Sequence, residues 1–341
     1  MTAPGQLVRR IAARGGLRDA AWRAAFAQVP REVFVPYYYE PRPGGGHERL
    51  WRHDPDPGRR ARWLAGVYSD RPLATRLRDG QLVSSSSRPS LMATMLERLR
   101  VADGMDVLEI GTGPGYNAAL LCHRLGDAHV TTVDIDPDIT GAARGHLAEA
   151  GYRPRVLTQD GALGCRAYAP YDRIVATCAV TAVPWEWPAQ SVPGALIVVP
   201  LAGGLLALRV AADGAAEGTF CSSPACFVPL RGGGAPRGGT GEGPPDGTPR
   251  TGPGEGDDGD TDGAGAGAGA GAGDEGAAGL RLLLALTAGR VAPADAYALW
   301  GDAGRPGRER YGVSVRGGRQ WAWLDDPYGR HTWPLAGRER G

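Results

Sequence analysis

Val107-Leu108-Glu109-Ile110-Gly111-Thr112-Gly113-Pro114-Gly115-Tyr116 is the stretch that decides the fold. Asp106 to Ile110 reads as a short buried strand, three glycines force a tight turn, and Tyr116 to Leu125 has the apolar spacing of a helix. Strand, glycine turn and helix in that order open a nucleotide site. Side chains in the turn would hold a ligand off the backbone, and the helix start presents unpaired N–H groups. Glu109, at the carboxyl end of the strand, is placed to accept a hydrogen bond from an amino or hydroxyl group. A dinucleotide fingerprint needs glycines at relative positions one, three and six. Here Gly111, Gly113 and Gly115 stand at one, three and five, with Tyr116 sixth, which weakens a dehydrogenase reading. A different nucleotide site and a purely structural turn remain.

Downstream the chain alternates strand and helix. His129 to Val133 reads as a strand ending at Asp134, an acid about twenty residues beyond the glycine turn, where a carboxylate can accept bonds from both ribose hydroxyls. Asp136-Pro137 is an N-cap and first residue of the next helix, so Asp136 is structural. Arg155 to Thr158 is a third strand, followed by Asp160-Gly161, which alone would be only a turn. Tyr171 to Thr177 is a fourth, and puts Thr177 and Cys178 at its carboxyl end, where open α/β sheets hold ligands. A packed free cysteine is the expectation for Cys178. Val192 to Pro200 supplies a fifth strand, with Leu205–Val210 and Gly218–Phe220 as an antiparallel edge pair.

Upstream, residues 5–28 read as two short helices broken at Gly15-Gly16, with Leu17, Ala21, Trp22 and Phe26 on one face of the second. Residues 40–66, rich in Pro, Gly and Arg, read as a surface loop, with a lid or partner surface as the other possibility. Ser84-Ser85-Ser86-Ser87-Arg88-Pro89 precedes a helix over Pro89–Arg98, whose first turn sits beside the glycine turn. Helix capping accounts for one of these serines as readily as ligand binding does.

The 341 residues carry 42% hydrophobic content, enough for a real core, and a net charge of +1, which makes no whole-chain argument for nucleic acid or an anionic membrane. Every fixed cation is arginine, since there is no lysine. Five cysteines without a C-x-x-C pair suit a reduced, cytoplasmic protein. No signal-peptide or membrane-spanning run is expected. Residues 231–279 are nearly all Gly, Pro, Ala, Asp and Glu and read as a disordered linker holding nine acids and three arginines, net −6, so the remainder is about +7. Residues 280–341 recover order as a small β-rich module, with a hairpin around Gly317-Gly318. The expected organisation is a helical cap with an acceptor segment over 1–100, a core over 101–230, the linker, and the module.

Glu109 followed by this glycine pattern is similar to motif I of class I S-adenosylmethionine-dependent methyltransferases. Val29-Pro30-Arg31-Glu32-Val33-Phe34-Val35-Pro36, then Tyr68-Ser69-Asp70-Arg71-Pro72-Leu73, then Gly80-Gln81-Leu82-Val83-Ser84, then the glycine turn resemble, in order, the segments of protein-L-isoaspartate O-methyltransferases. Tyr171–Thr177 resembles a later strand of that family. The resemblance implies a Rossmann-like, doubly wound, mostly parallel α/β sheet with a helical cap and a small carboxyl-terminal addition. It implies S-adenosyl-L-methionine held by Glu109, Gly111, Thr112, Gly113, Gly115, Tyr116, Asp134, Ile135, Asp160, Gly161 and Thr177, with Asp160 on the adenine amino group. The register of the family's acceptor serine selects Ser87, with Ser86 or Ser85 next. No metal is implied. The partner is a protein or peptide bearing isoaspartate or aspartate. General repair and dedicated tailoring of one ribosomally made peptide share this chemistry; a non-catalytic cofactor-binding assembly protein is the third reading.

Overall fold

The computed structural model describes residues 2–232 and 272–335. At the amino end α1 (Ala3–Ala13) and α2 (Ala20–Gln28) bury Leu7, Ile11, Trp22 and Phe26, and Asp19 caps α2 by accepting from the N–H groups of Ala21 and Trp22. The four-residue α3 (Arg31–Phe34) follows.

The next stretch departs from the expected loop and from an all-helical cap. β1 (Tyr37–Pro41) and β2 (His47–Trp51) form an antiparallel hairpin, α4 (Pro57–Val67) follows, and β3 (Leu73–Arg78) and β4 (Gln81–Ser86) complete a four-stranded sheet of order β2-β1-β3-β4. The physical reason lies in a few apolar anchors among the polar residues. Leu50 and Tyr38 are buried, and Trp63 is inserted so that its Nε1 donates to the Val35 carbonyl at 3.0 Å. α5 (Pro89–Leu99) then leads into the main sheet.

That sheet has ten strands. Its parallel half is β5 (Val107–Ile110), β6 (Val130–Asp134), β7 (Arg155–Thr158), β8 (Tyr171–Ala176) and β9 (Ser191–Leu201), linked by α6 (Tyr116–Leu125), α7 (Pro137–Glu149) and the short α8 (Glu186–Ala189). β10 (Gly204–Val210) and β11 (Ala216–Pro224) continue it antiparallel. After α9 (Ala272–Leu286) and α10 (Pro293–Asp302) come β12 (Tyr311–Arg316), β13 (Arg319–Leu324) and β14 (Thr332–Pro334). The spatial order is β14-β13-β12-β11-β10-β9-β8-β5-β6-β7.

β10 and β11 are therefore not an edge pair, because β12 pairs with β11, Gly218 opposite Val313. The tail extends the main sheet, and its helix begins at Ala272, inside the stretch read as linker; the rest of that reading, residues 233–271, lies outside the described residues. Successive strand residues point to opposite faces. Val107, Val130, Val175 and Val198 pack under α5, α6 and the amino-terminal helices, while Leu108, Ile110, Ile174 and Ile197 pack with Trp187, α9, α10 and the tail strands. Both faces are covered, and β9 accordingly reads as a continuous apolar run over residues 195–201. Among the described residues no helix is long and apolar enough to cross a membrane, and the five cysteines are free.

Candidate active site

The carboxyl ends of β5, β6 and β8, the glycine turn and the serine strand β4 enclose one cleft. The turn is shaped by backbone demand. Gly111, Gly113 and Gly115 have φ of 94°, 51° and 91°, and a Cβ on Gly111 would come within 2.7 Å of Thr177 Oγ1. The Gly111 and Thr112 amides donate to the Val133 carbonyl at 2.8 and 3.2 Å, tying the turn to β6.

Glu109 is wholly buried beneath this turn. Its Oε1 accepts from Asn117 Nδ2 at 2.8 Å and its Oε2 from Thr132 Oγ1 at 2.6 Å, and Thr132 also bonds Thr112 at 2.8 Å. Burial pushes the carboxyl up to about 7, against the pull of the Thr132 and Asn117 hydrogen bonds and with a further push from Asp134. Asn117 Oδ1, in the same wall, is buried with no hydrogen-bond partner among the described residues. A buried acceptor without a donor is costly, so this atom fits a ligand amino group.

Asp134 closes the end of β6. Its Oδ2 accepts from the Gly113 amide at 3.2 Å, and its Oδ1 from the Asp136 amide at 3.2 Å and from Arg231 at 3.3 Å. Asp136 caps α7 as expected and receives Arg76, Arg78 and Arg231 at 3.8, 3.4 and 3.6 Å. Burial raises its pKa, but bonds from the Asp138 and Ile139 amides and the arginines outweigh this and hold it below the usual carboxylate range.

The serines are sorted by a residue 55 positions upstream. Arg31 is fully buried; its guanidinium donates to Ser86 Oγ at 3.1 Å and to the carbonyls of Ser86, Ser87, Val67 and Ser69 at 3.4, 3.1, 2.7 and 3.2 Å. Burial pushes it down to about 10, so it stays charged at neutral pH. Ser84 accepts from Thr75 Oγ1 at 3.2 Å. The hydroxyls of Ser85 and Ser87 have no partner among the described residues, and both residues are half-buried in the cleft wall. The capping explanation fails: no serine side chain caps α5, whose Ser90 amide instead donates to Asp70 Oδ1 at 2.8 Å. The serine strand lies against the turn, with Ser85 O 3.6 Å from where a Gly113 Cβ would stand.

Residues 60–233 match the family described as protein-L-isoaspartate(D-aspartate) O-methyltransferase. A protein-L-isoaspartate O-methyltransferase of Anaeromyxobacter is 37% identical over 234 residues, covering 67% of this chain and 95% of that one. Another, from Hyperthermus butylicus, is 32% identical over 240 residues, 67% and 88%. The chain belongs to the protein-L-isoaspartate(D-aspartate) O-methyltransferase family. It spans 62% of the length of a third relative, from Methanosarcina mazei, at 35% identity over 179 residues and 52% of this chain. A solved protein-L-isoaspartate O-methyltransferase superposes with TM-score 0.54 at 26% identity, covering 67% of this chain and 66% of that one. A Plasmodium falciparum structure described as putatively the same enzyme, with S-adenosyl-L-homocysteine, shares the fold at TM-score 0.51 and 13% identity, over 68% and 99% of the two chains.

Within this member of the isoaspartate methyltransferase family, the expected site residues fall into two groups. Glu109, Gly111, Thr112, Gly113, Tyr116, Asp134, Ile135, Gly161, Thr177, Ser86 and Ser87 line the cleft together. Gly115 and Asp160 do not. Gly115 sits where a Cβ would stand 3.4 Å from both Ala143 and Leu147, so it lets α6 approach α7. Asp160 turns inward as the cap of a short helical turn, accepting from the Ala162 amide at 2.9 Å, with Gly232 packed against its carboxylate. Ser86, though in the wall, has its hydroxyl committed to Arg31. Thr177 donates to the Ile110 and Gly111 carbonyls and so braces the turn. Tyr116 is clasped by Phe26 and Phe34 at 6.2 and 5.7 Å, anchoring the amino-terminal helices to the cleft. Burial pushes the Cys178 thiol up to about 12, which leaves no thiolate for nucleophilic work. Sequence reasoning missed Asn117, Thr132, Arg31 and the segment Val228–Arg231. Arg31 was in plain view inside the Val29–Pro36 motif; Arg231 was hidden as the first residue of the presumed linker.

Proposed function

We propose that this protein is an S-adenosylmethionine-dependent carboxyl O-methyltransferase acting on isoaspartyl or aspartyl residues of proteins and peptides. The observation that carries the reading is an unpartnered hydroxyl, that of Ser87, whose backbone is held by a buried arginine in the cleft that the glycine turn also lines. S-adenosylmethionine, when bound, supplies an electrophilic sulfonium methyl. Asn117 Oδ1, which lacks a donor, would hold its amino group, Asp134, now shared with Arg231, would hold the ribose hydroxyls, and Ile135, 36% exposed beside Asp134, would offer an apolar surface to the adenine.

A carboxylate with reference pKa about 4 is ionised at neutral pH, so no general base is needed. Ser87 donates to the acceptor carboxylate and aims it, and entry into the cleft strips water from it; positioning and desolvation supply the rate. The product ester has a better leaving group than the acid, so the neighbouring backbone nitrogen attacks its carbonyl and expels methanol, giving a succinimide that water reopens to aspartate or isoaspartate. The free cysteines suit a reducing compartment, and the cytoplasm is where we place the reaction.

The tailoring reading, modification of one dedicated peptide, is favoured by the tail: β12–β14 lie outside the matched residues 60–233 yet continue the catalytic sheet. Methyl transfer from labelled S-adenosylmethionine to matched isoaspartyl and aspartyl peptides, read by mass spectrometry, tests both. Methylation of isoaspartyl peptides of unrelated sequence supports repair. Cofactor binding without methylation of any generic peptide points to a dedicated acceptor.

A further inference from the structure

α5 starts at the serines and ends beside a second concavity. Arg98, Arg100, Arg209 and Trp323 surround a floor that includes Leu196 and Ala207. Neither Arg98, Arg100 nor Arg209 forms an ion pair among the described residues. The one carboxylate in the wall, Glu217, accepts from Ser314 Oγ at 2.7 Å. A fourth guanidinium, Arg173, adjoins the group, donating to the carbonyls of Leu99 and Arg100 at 2.6 and 3.0 Å. Burial first, then repulsion from Arg209 and Arg100, push it below its usual range, with Asp172 opposing. Three guanidinium groups face one carboxylate, Glu217, which stands opposite Arg209 on the neighbouring strand, so the concavity keeps a positive excess that an anionic ligand relieves.

We infer that this concavity is an exosite for an acidic segment of the peptide substrate. The inference rests on the reading of the protein as a methyltransferase of peptide carboxylates. Three observations select a peptide. Leu196, Ala207 and the edge of the largely buried Trp323 give the lining apolar patches among its charges, which suits side chains more than a bare phosphate chain. Over the whole chain the remainder's excess of about +7 is offset by the −6 of residues 231–279, and the resulting +1 gives little long-range field for a polyanion such as nucleic acid. The eleven residues of α5 separate the exosite from Ser87 by about 16 Å, a span that about five extended residues cover. Trp323 belongs to the tail, outside the matched residues 60–233, so the tail completes a wall that the shared catalytic core lacks.

Fluorescence anisotropy on the full chain, without cofactor, tests this with a labelled Asp/Glu-rich peptide, its Asn/Gln counterpart and single-stranded DNA of similar charge. The acidic peptide should bind best, and R98Q/R100Q/R209Q should weaken it roughly tenfold while the corresponding triple lysine variant retains it. A short isoaspartyl peptide lacking an acidic flank should be methylated by the triple glutamine variant with unchanged kcat/KM. Equal binding of the neutral peptide, preference for DNA, or full affinity in the glutamine variant would overturn the exosite. So would affinity of the unmodified chain that is insensitive to added salt. Arginine-dependent binding of the acidic peptide by a protein that methylates no aspartyl or isoaspartyl peptide would keep the exosite and overturn the reaction instead.

Discussion

Replacing Arg31 by lysine isolates the device that sets the serines. The guanidinium serves five acceptors: one hydroxyl and four carbonyls, drawn from α4's end, the turn after it and the serine strand. An ammonium has three N–H groups, so at least two acceptors lose their donor even in the best rotamer. At about 1–1.5 kcal/mol for each buried acceptor left unmade, the expected loss is about 2–3 kcal/mol. Denaturant unfolding of the full chain measures it. The functional effect is separate. Ser87 is placed by its carbonyl's bond to Arg31 at 3.1 Å, and a shift of order 1 Å in a positioning group costs up to about a hundredfold in rate. Steady-state kinetics on an isoaspartyl peptide should therefore show kcat reduced about ten- to a hundredfold. Affinity for S-adenosylmethionine, measured by calorimetry, should stay within about twofold, since Glu109, Gly113, Asn117 and Asp134 receive no bond from Arg31. Unchanged kcat alongside the stability loss would refute the positioning role; a cofactor affinity that falls in step with kcat would refute the separation of the two half-sites.

The serines themselves should divide. Ser87→Ala lowers kcat with cofactor binding intact, whereas Ser86→Ala removes Arg31's acceptor and destabilises by about 1–2 kcal/mol, as thermal unfolding would show. Glu109 has a pH signature. Its folded pKa of about 7 exceeds the ordinary 4.5, so the native state keeps a proton that the unfolded chain has released. Stability from this group therefore falls as pH rises from 4.5 towards 7, by about 3 kcal/mol in the limit, and Glu109→Gln should abolish that slope when the two proteins' unfolding is compared across pH. Gly161→Ala places a Cβ 2.6 Å from Ile110 Cγ2 and 3.3 Å from Leu230, so it should lower both the unfolding midpoint and cofactor affinity.

Much of this protein was legible before any coordinates. The strands around residues 107, 130, 155 and 171 and the hairpin at Gly317-Gly318 follow from local apolar periodicity and from glycines at positive φ, properties carried by neighbours in the chain. Residues 37–67 were harder, because a hairpin and helix there depend on Leu50, Tyr38 and Trp63 reaching a core supplied by other segments. Four adjacent serines are indistinguishable in one dimension. Tertiary structure alone decided that Ser86 is tied to Arg31 while Ser87 is open, that Asp70 caps α5, and that Gly115 serves helix packing. It also carried the tail into the main sheet and brought Arg231 to Asp134. Each of these depends on a partner tens of residues away, and hydrogen-bond partnership at that range is settled by packing, which no local pattern encodes.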